Sequence, residues 1–125
     1  MGAWVLVASN AAGRDFSVIL YDSDGSTALE TIAVDVDQFA TTSSRLLFVC
    51  FTANRDLLAS TNYRLTIRPD TASSISLDEF DVNAAAIMDA VEGGQNFHHT
   101  SRADAGAWTQ TTTKRPAIGL LLVGL

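Results

Sequence analysis

Asp22-Ser23-Asp24-Gly25-Ser26-Thr27 sets closely spaced oxygens around a glycine, as a calcium loop does. An EF-hand loop also needs a bidentate glutamate at its twelfth position and helices on both sides. Counted from Asp22, that position is Ala33, and the flanking residues read as strands. The segment therefore reads as a hairpin turn in which Gly25 takes a positive φ. His98-His99 is the other metal-like pair. Neighbours on a strand point to opposite faces, so the two imidazoles do not converge on one ion. One is expected to face solvent and the other to pack, with His98 a candidate partner contact, sensitive to pH if it is buried there.

Asp78, Glu79 and Asp81 offer paired carboxylates of the kind glycosidases use. On a strand Glu79 and Asp81 share a face while Asp78 takes the other, and the group reads as a solvated acidic edge that discourages aggregation. Cys50, the one cysteine, stands inside Leu47-Phe48-Val49-Cys50-Phe51. An apolar strand supplies neither the positive setting nor the base that a nucleophilic thiol needs, so Cys50 is expected in the core. A lone thiol forms no internal disulfide and suits a reducing compartment. The sequence contains no Gly-x-Ser-x-Gly elbow, Walker loop or dinucleotide fingerprint. The expectation is a chain that is not an enzyme, with no cofactor and no metal. Trp4, Tyr21, Tyr63 and Trp108 remain as flat rings able to stack on a sugar, or to pack in sheets. Trp108 and Tyr63 are the candidate ligand or partner contacts.

The elements that would position these groups are short. Apolar runs closed by turn formers appear at Trp4–Ala8, Phe16–Tyr21, Leu29–Val36, Leu46–Phe51, Tyr63–Arg68, Ile75–Val82 and Ala117–Val123. Phe97–Arg102 and Trp108–Thr113 read as weaker strands, and Lys114-Arg115-Pro116 as a break between strands. In Leu29–Val36 the set Glu30, Ile32, Val34 and Val36 makes the better core face. Leu46–Phe51 is apolar on both faces and is expected in the middle of a sheet. Leu57 and Leu58 are expected to tuck under a sheet edge. Asn83–Ala90 is the one helical candidate, with Asn83 as its cap and Gly93-Gly94 beyond its end. The expected fold is all-β, a two-sheet antiparallel β-sandwich with at most one short helix, built as a single domain over 1–125.

The chain has 125 residues, 47% of them hydrophobic, enough for one real core. Charged residues make up 18%, below the roughly 25% of ordinary soluble proteins. Neutral surface of this kind suits assembled proteins, where neighbours cover it, and it also suits secreted modules. The net charge of −6 disfavours nucleic acid and anionic membranes, since both require a basic face. The N-terminus lacks the basic start and long apolar stretch of a signal peptide.

Three segments carry a family resemblance. Leu57-Leu58-Ala59-Ser60-Thr61-Asn62-Tyr63-Arg64-Leu65-Thr66-Ile67 resembles the lead-in to a strand in jelly-roll sandwiches, and Phe16–Gly25 resembles the hairpin that precedes it. Ala105-Gly106-Ala107-Trp108 with Arg115-Pro116-Ala117-Ile118-Gly119 resembles the closing strands. Such modules occur in phage virion proteins and in sandwiches similar to carbohydrate-binding modules. The resemblance implies a jelly-roll-like structural or decorating protein of a phage particle, in capsid or tail. Its partners would be copies of itself or other virion proteins, and its location the virion, assembled in the host cytoplasm. The alternative it implies is a carbohydrate-binding module that takes glycans on exposed aromatics. With only Trp4–Ala8 ahead of the first hairpin, an open sheet edge is expected to pair between subunits.

Overall fold

The computed structural model describes residues 1–10, 15–35, 43–53, 55–70, 75–81, 99–103, 106–111 and 114–122. The described elements are all strands: β1 (Gly2–Asn10), β2 (Phe16–Tyr21), β3 (Ala28–Val34), β4 (Arg45–Cys50), β5 (Arg64–Pro69), β6 (Ile75–Leu77), β7 (Glu79–Asp81), β8 (His99–Ser101), β9 (Thr109–Thr111), β10 (Lys114–Pro116) and β11 (Ile118–Leu121). Among them no helix is long and apolar enough to cross a membrane. The helical candidate Asn83–Ala90 lies outside the described residues.

The chain forms two compact units, one of Met1–Leu77 with Ile118–Leu125, the other of Asp78–Ala117. The first contains two antiparallel sheets and is the expected β-sandwich. In sheet A, β1 is central, with β4 on one side and β6 and β11 on the other. In sheet B, β2 is central between β3 and β5.

Period-two alternation decides what each strand buries. Ala3, Val5 and Val7 of β1 and Val49 of β4 meet Phe16, Val18 and Leu20 of β2 and Val34 of β3 in one core cluster. Leu65, Ile67 and Ile32 pack against it from the flanking strands of sheet B. The central strand β2 is buried on both faces, since Ser17, Ile19 and Tyr21 are closed off as well. Its hairpin with β3 is set as the turn chemistry predicts. Asp22 donates its backbone N–H to Thr27 O, Gly25 donates to Asp22 O, and Gly25 sits at φ 67°.

Four expectations are corrected in this unit and at its border. β4 is an edge strand, because among the described residues it pairs with β1 alone. Its two apolar faces have different causes: Leu47 and Val49 serve the core, whereas Leu46, Phe48 and Cys50 face outward. Cys50 is accordingly exposed rather than buried. Leu57 does pack on the core, but Leu58 is 68% exposed. The run Ile75–Val82 is broken at Asp78, so that β6 belongs to sheet A and β7 to the second unit.

In the second unit β7 pairs with β10, Glu79 opposite Pro116 and Asp81 opposite Lys114. The segment Lys114–Pro116, expected as a break, is thus a strand, and its proline sits at the strand end, where a missing donor costs least. Ala117 N–H donates to Asp78 O at 2.8 Å and closes the base of this pair. β8 and β9 form a second antiparallel pair, with His99 opposite Thr111.

Candidate functional site: the outer face of sheet A

The outward residues of sheet A include Trp4 and Leu6 on β1, Leu46, Phe48 and Cys50 on β4, Gly119 and Leu121 on β11, and the exposed Ser76 on β6. Phe48 is 64% exposed, Leu46 50% and Leu121 41%. Register brings them together: Trp4 lies between Phe48 and Gly119, and Leu6 opposite Leu46. No charged residue is among them. Large exposed apolar side chains scattered singly need no explanation, whereas a contiguous set on one sheet face is unusual.

Gly119 is part of how the face is built. A Cβ added there would stand 2.5–2.9 Å from Nε1, Cε2 and Cζ2 of the Trp4 ring. The indole therefore lies flat across the glycine backbone of the neighbouring strand. Any side chain at position 119 would lift the ring off the sheet. Sheet B contrasts with this face. Ile19 on its outer side has Thr31 and Thr66 as cross-strand neighbours, and Ser17 Oγ donates to Asp70 Oδ1 at 3.3 Å.

The backbone of β4 adds a directional feature. Phe51 donates its N–H to Met1 O at 3.0 Å, which makes Met1 and Phe51 a hydrogen-bonded pair in the β1–β4 register. In an antiparallel ladder such pairs alternate, so Arg45, Leu47 and Val49 direct their N–H and C=O toward β1. Leu46, Phe48 and Cys50 direct theirs away from it. The residues that present apolar side chains on the outer face are thus the ones whose backbone groups lie along the edge that no described strand covers.

A second feature is an open cleft of about 390 Å³ lined by Asp22, Leu29, Arg55, Asp56, Leu57, Leu58 and Tyr63. The Tyr63 hydroxyl accepts the Leu58 N–H at 3.0 Å, which fixes the ring against the Leu57–Leu58 segment. Beside the cleft, Glu30 accepts from Thr52 Oγ1 at 2.7 Å and from the N–H groups of Thr52 and Ala53, with Arg55 Nε at 3.9 Å. The Thr52 hydroxyl above all holds this carboxyl below the usual carboxylate range, burial opposing and the two N–H groups and Arg55 assisting. Arg55 also donates to Leu29 O.

The sequence-predicted contacts fall in different places. Tyr63 lines the cleft of the first unit. Trp108 belongs to the second unit, half-buried, with the Arg102 guanidinium 4.3 Å from its ring centroid, so that a cation occupies one ring face. His98 lies outside the described residues, as does the side chain of His99.

The oxygen-rich turn is committed internally. Asp24 accepts from the N–H groups of Ser26 and Thr27, both at 2.8 Å, and from the Thr27 hydroxyl. These bonds, the Thr27 hydroxyl first, hold its carboxyl far below the ordinary range. In the acidic group Glu79 pairs with Lys114 at 3.3 Å. Among the described residues no three His, Cys, Asp or Glu side chains group as metal ligands would.

Trp4, Leu46 and Phe48 were not singled out together by sequence reasoning. The signal was present in Leu46–Phe51 being apolar on both parities, a pattern shared by a central strand and by an edge strand that meets a partner. Comparison with known protein families, with curated proteins and with solved structures finds no match to this chain.

Proposed function

We propose that this chain is a non-enzymatic structural or decorating protein of a phage particle and works by assembly through the outer face of sheet A. The observation that carries the reading is the uncharged apolar face formed by Trp4, Leu6, Leu46, Phe48 and Leu121. Among the described residues no charge falls on this face although the net charge is −6, which suits the face to burial. The low charged fraction and the resemblance to virion sandwiches support the phage context. The jelly-roll-like winding and the virion location belong to the same proposal.

The test is direct. Light scattering on the purified chain is expected to give a dimer or larger assembly at micromolar concentration. Phe48→Asp is expected to weaken association at least 100-fold while the β-sheet circular dichroism is retained, because Phe48 contributes little to the core. A wild-type chain that stays monomeric at several hundred micromolar would refute the assembly reading. Mass spectrometry of purified particles, with the chain absent, would refute the phage context separately.

The cleft at Tyr63 favours a second reading, a carbohydrate-binding module. Sugar sites combine a ring face with carboxylates that accept hydroxyl protons, and Tyr63 stands with Asp22 and Asp56. On this reading a glycan array shows specific binding that Tyr63→Ala or Trp108→Ala abolishes. Binding that both variants leave intact, or no binding at all, removes it.

A further inference from the structure

We propose that two copies of this chain join edge to edge through β4, with Phe48 of each copy facing the partner's Phe48 across a twofold axis. The proposal rests on the assembly reading above and fixes its partner and register.

Three observations lead to it. Among the described residues β4 has a ladder partner on one side only, and Leu46 and Phe48 are 50% and 64% exposed. The strand is six residues long, carries no proline, and Arg45 is its single charge. Native edges are ordinarily blunted by charges, prolines or bulges, and this one has Arg45 alone, at its end. Finally, the N–H and C=O groups that point away from β1, toward the side where no described strand pairs, belong to Leu46, Phe48 and Cys50, as the Met1–Phe51 bond dictates.

Symmetry then selects the register. A twofold axis normal to the sheet keeps both sandwiches on the same side of the joined sheet. Directly opposed residues share a face, so under this axis they share parity along the strand. Because the open groups are on even-numbered residues, the hydrogen-bonded pairs must be even with even. Pairing Phe48 with the partner's Phe48 also sets Leu46 against the partner's Cys50, and Cys50 against the partner's Leu46. All three open residues then exchange both of their bonds. Shifting the centre to Leu47 leaves Cys50 paired with no residue of β4.

Charge agrees with this arrangement. The chosen register sets each Arg45 opposite the partner's Phe51, at the two ends of the joint, whereas a parallel pairing would oppose the two arginines. The outer faces of the two copies become one continuous surface of Trp4, Leu6, Leu46 and Phe48 on each side of the axis.

Disulfide capture tests the register. In a Cys50→Ser background, Phe48→Cys places two thiols at a hydrogen-bonded pair, about 5.5 Å apart at Cα and within disulfide reach. Oxidation is expected to convert this variant to a covalent dimer at least tenfold faster than Leu58→Cys in the same background, an exposed site off the joint. Equal rates for the two variants, with a wild type that is dimeric by light scattering, would overturn the register and leave assembly standing. A monomeric wild type would overturn both. If Phe48→Cys misfolds, amide exchange on the wild type decides. The N–H groups of Leu46, Phe48 and Cys50 should slow at least tenfold between dilute and concentrated solution, and concentration-independent exchange would overturn the proposal.

Discussion

Truncation of Phe16 to alanine is expected to remove about 3–5 kcal/mol of folding stability, the range for deleting a buried aromatic ring. Phe16 is fully buried at the start of β2, opposite Val34 and within the cluster that joins both sheets. Its ring therefore touches the core from a strand that is buried along its whole length, where little can move to fill the space. Small domains have about 5–15 kcal/mol in total, so the variant should sit near the edge of stability. Urea denaturation followed by circular dichroism measures the loss. The exposed Leu58→Ala serves as reference and should change stability by less than about 0.5 kcal/mol. A Phe16→Ala loss no larger than that of Leu58→Ala would mean that the two sheets do not share this core.

Glu30 carries the second large effect. Its carboxylate collects the Thr52 hydroxyl, the N–H groups of Thr52 and Ala53, and Arg55. It thereby ties β3 of sheet B to the chain leaving β4 of sheet A, and only 7% of its side chain is exposed. Glu30→Ala leaves those donors without their acceptor, and the expected cost is about 1–3 kcal/mol. Because the folded carboxyl titrates below its unfolded value, its contribution is fully present above the ordinary glutamate range near pH ~4.3 and is lost as pH falls through the folded value. The difference in urea midpoint between wild type and Glu30→Gln should therefore be large at pH 7 and shrink steadily below pH ~4. A gap that is independent of pH would show that the negative charge is not what the site uses.

Alternation made much of the sandwich legible. It marked Phe16–Tyr21 as a strand, put Glu30, Ile32 and Val34 on one parity, and placed the hairpin at Gly25. Glu30 on the inward parity was the visible sign of a carboxylate held by a loop, since an acid among core positions needs dedicated donors. What alternation could not supply was order. A strand buried on both faces and an edge strand with one exposed apolar face have the same apolar pattern, so β2 and β4 looked alike and, among the described strands, only β2 is central. Cys50 was misplaced for the same reason: its neighbours are apolar, but its parity is Phe48's rather than Val49's. Asp78 divides Ile75–Val82 because the chain leaves sheet A there, a tertiary event with no local signal. The cleft joins Asp22 to Asp56 and Tyr63, residues far apart in sequence, and no motif links them.

β6 and β11 lie along the same side of β1, β6 against Val7–Asn10 and β11 against Gly2–Val5, both antiparallel to it. In effect they are two halves of one strand position, and everything from Asp78 to Ala117 is spliced into the middle of it. Ala117 and Asp78 are bonded backbone to backbone, so the splice begins and ends at one spot. With its ends fixed at that spot, the segment from Asp78 to Ala117 closes a loop whose entropic cost grows only slowly with its length, so residues added to or removed from it should disturb the strands around β1 little.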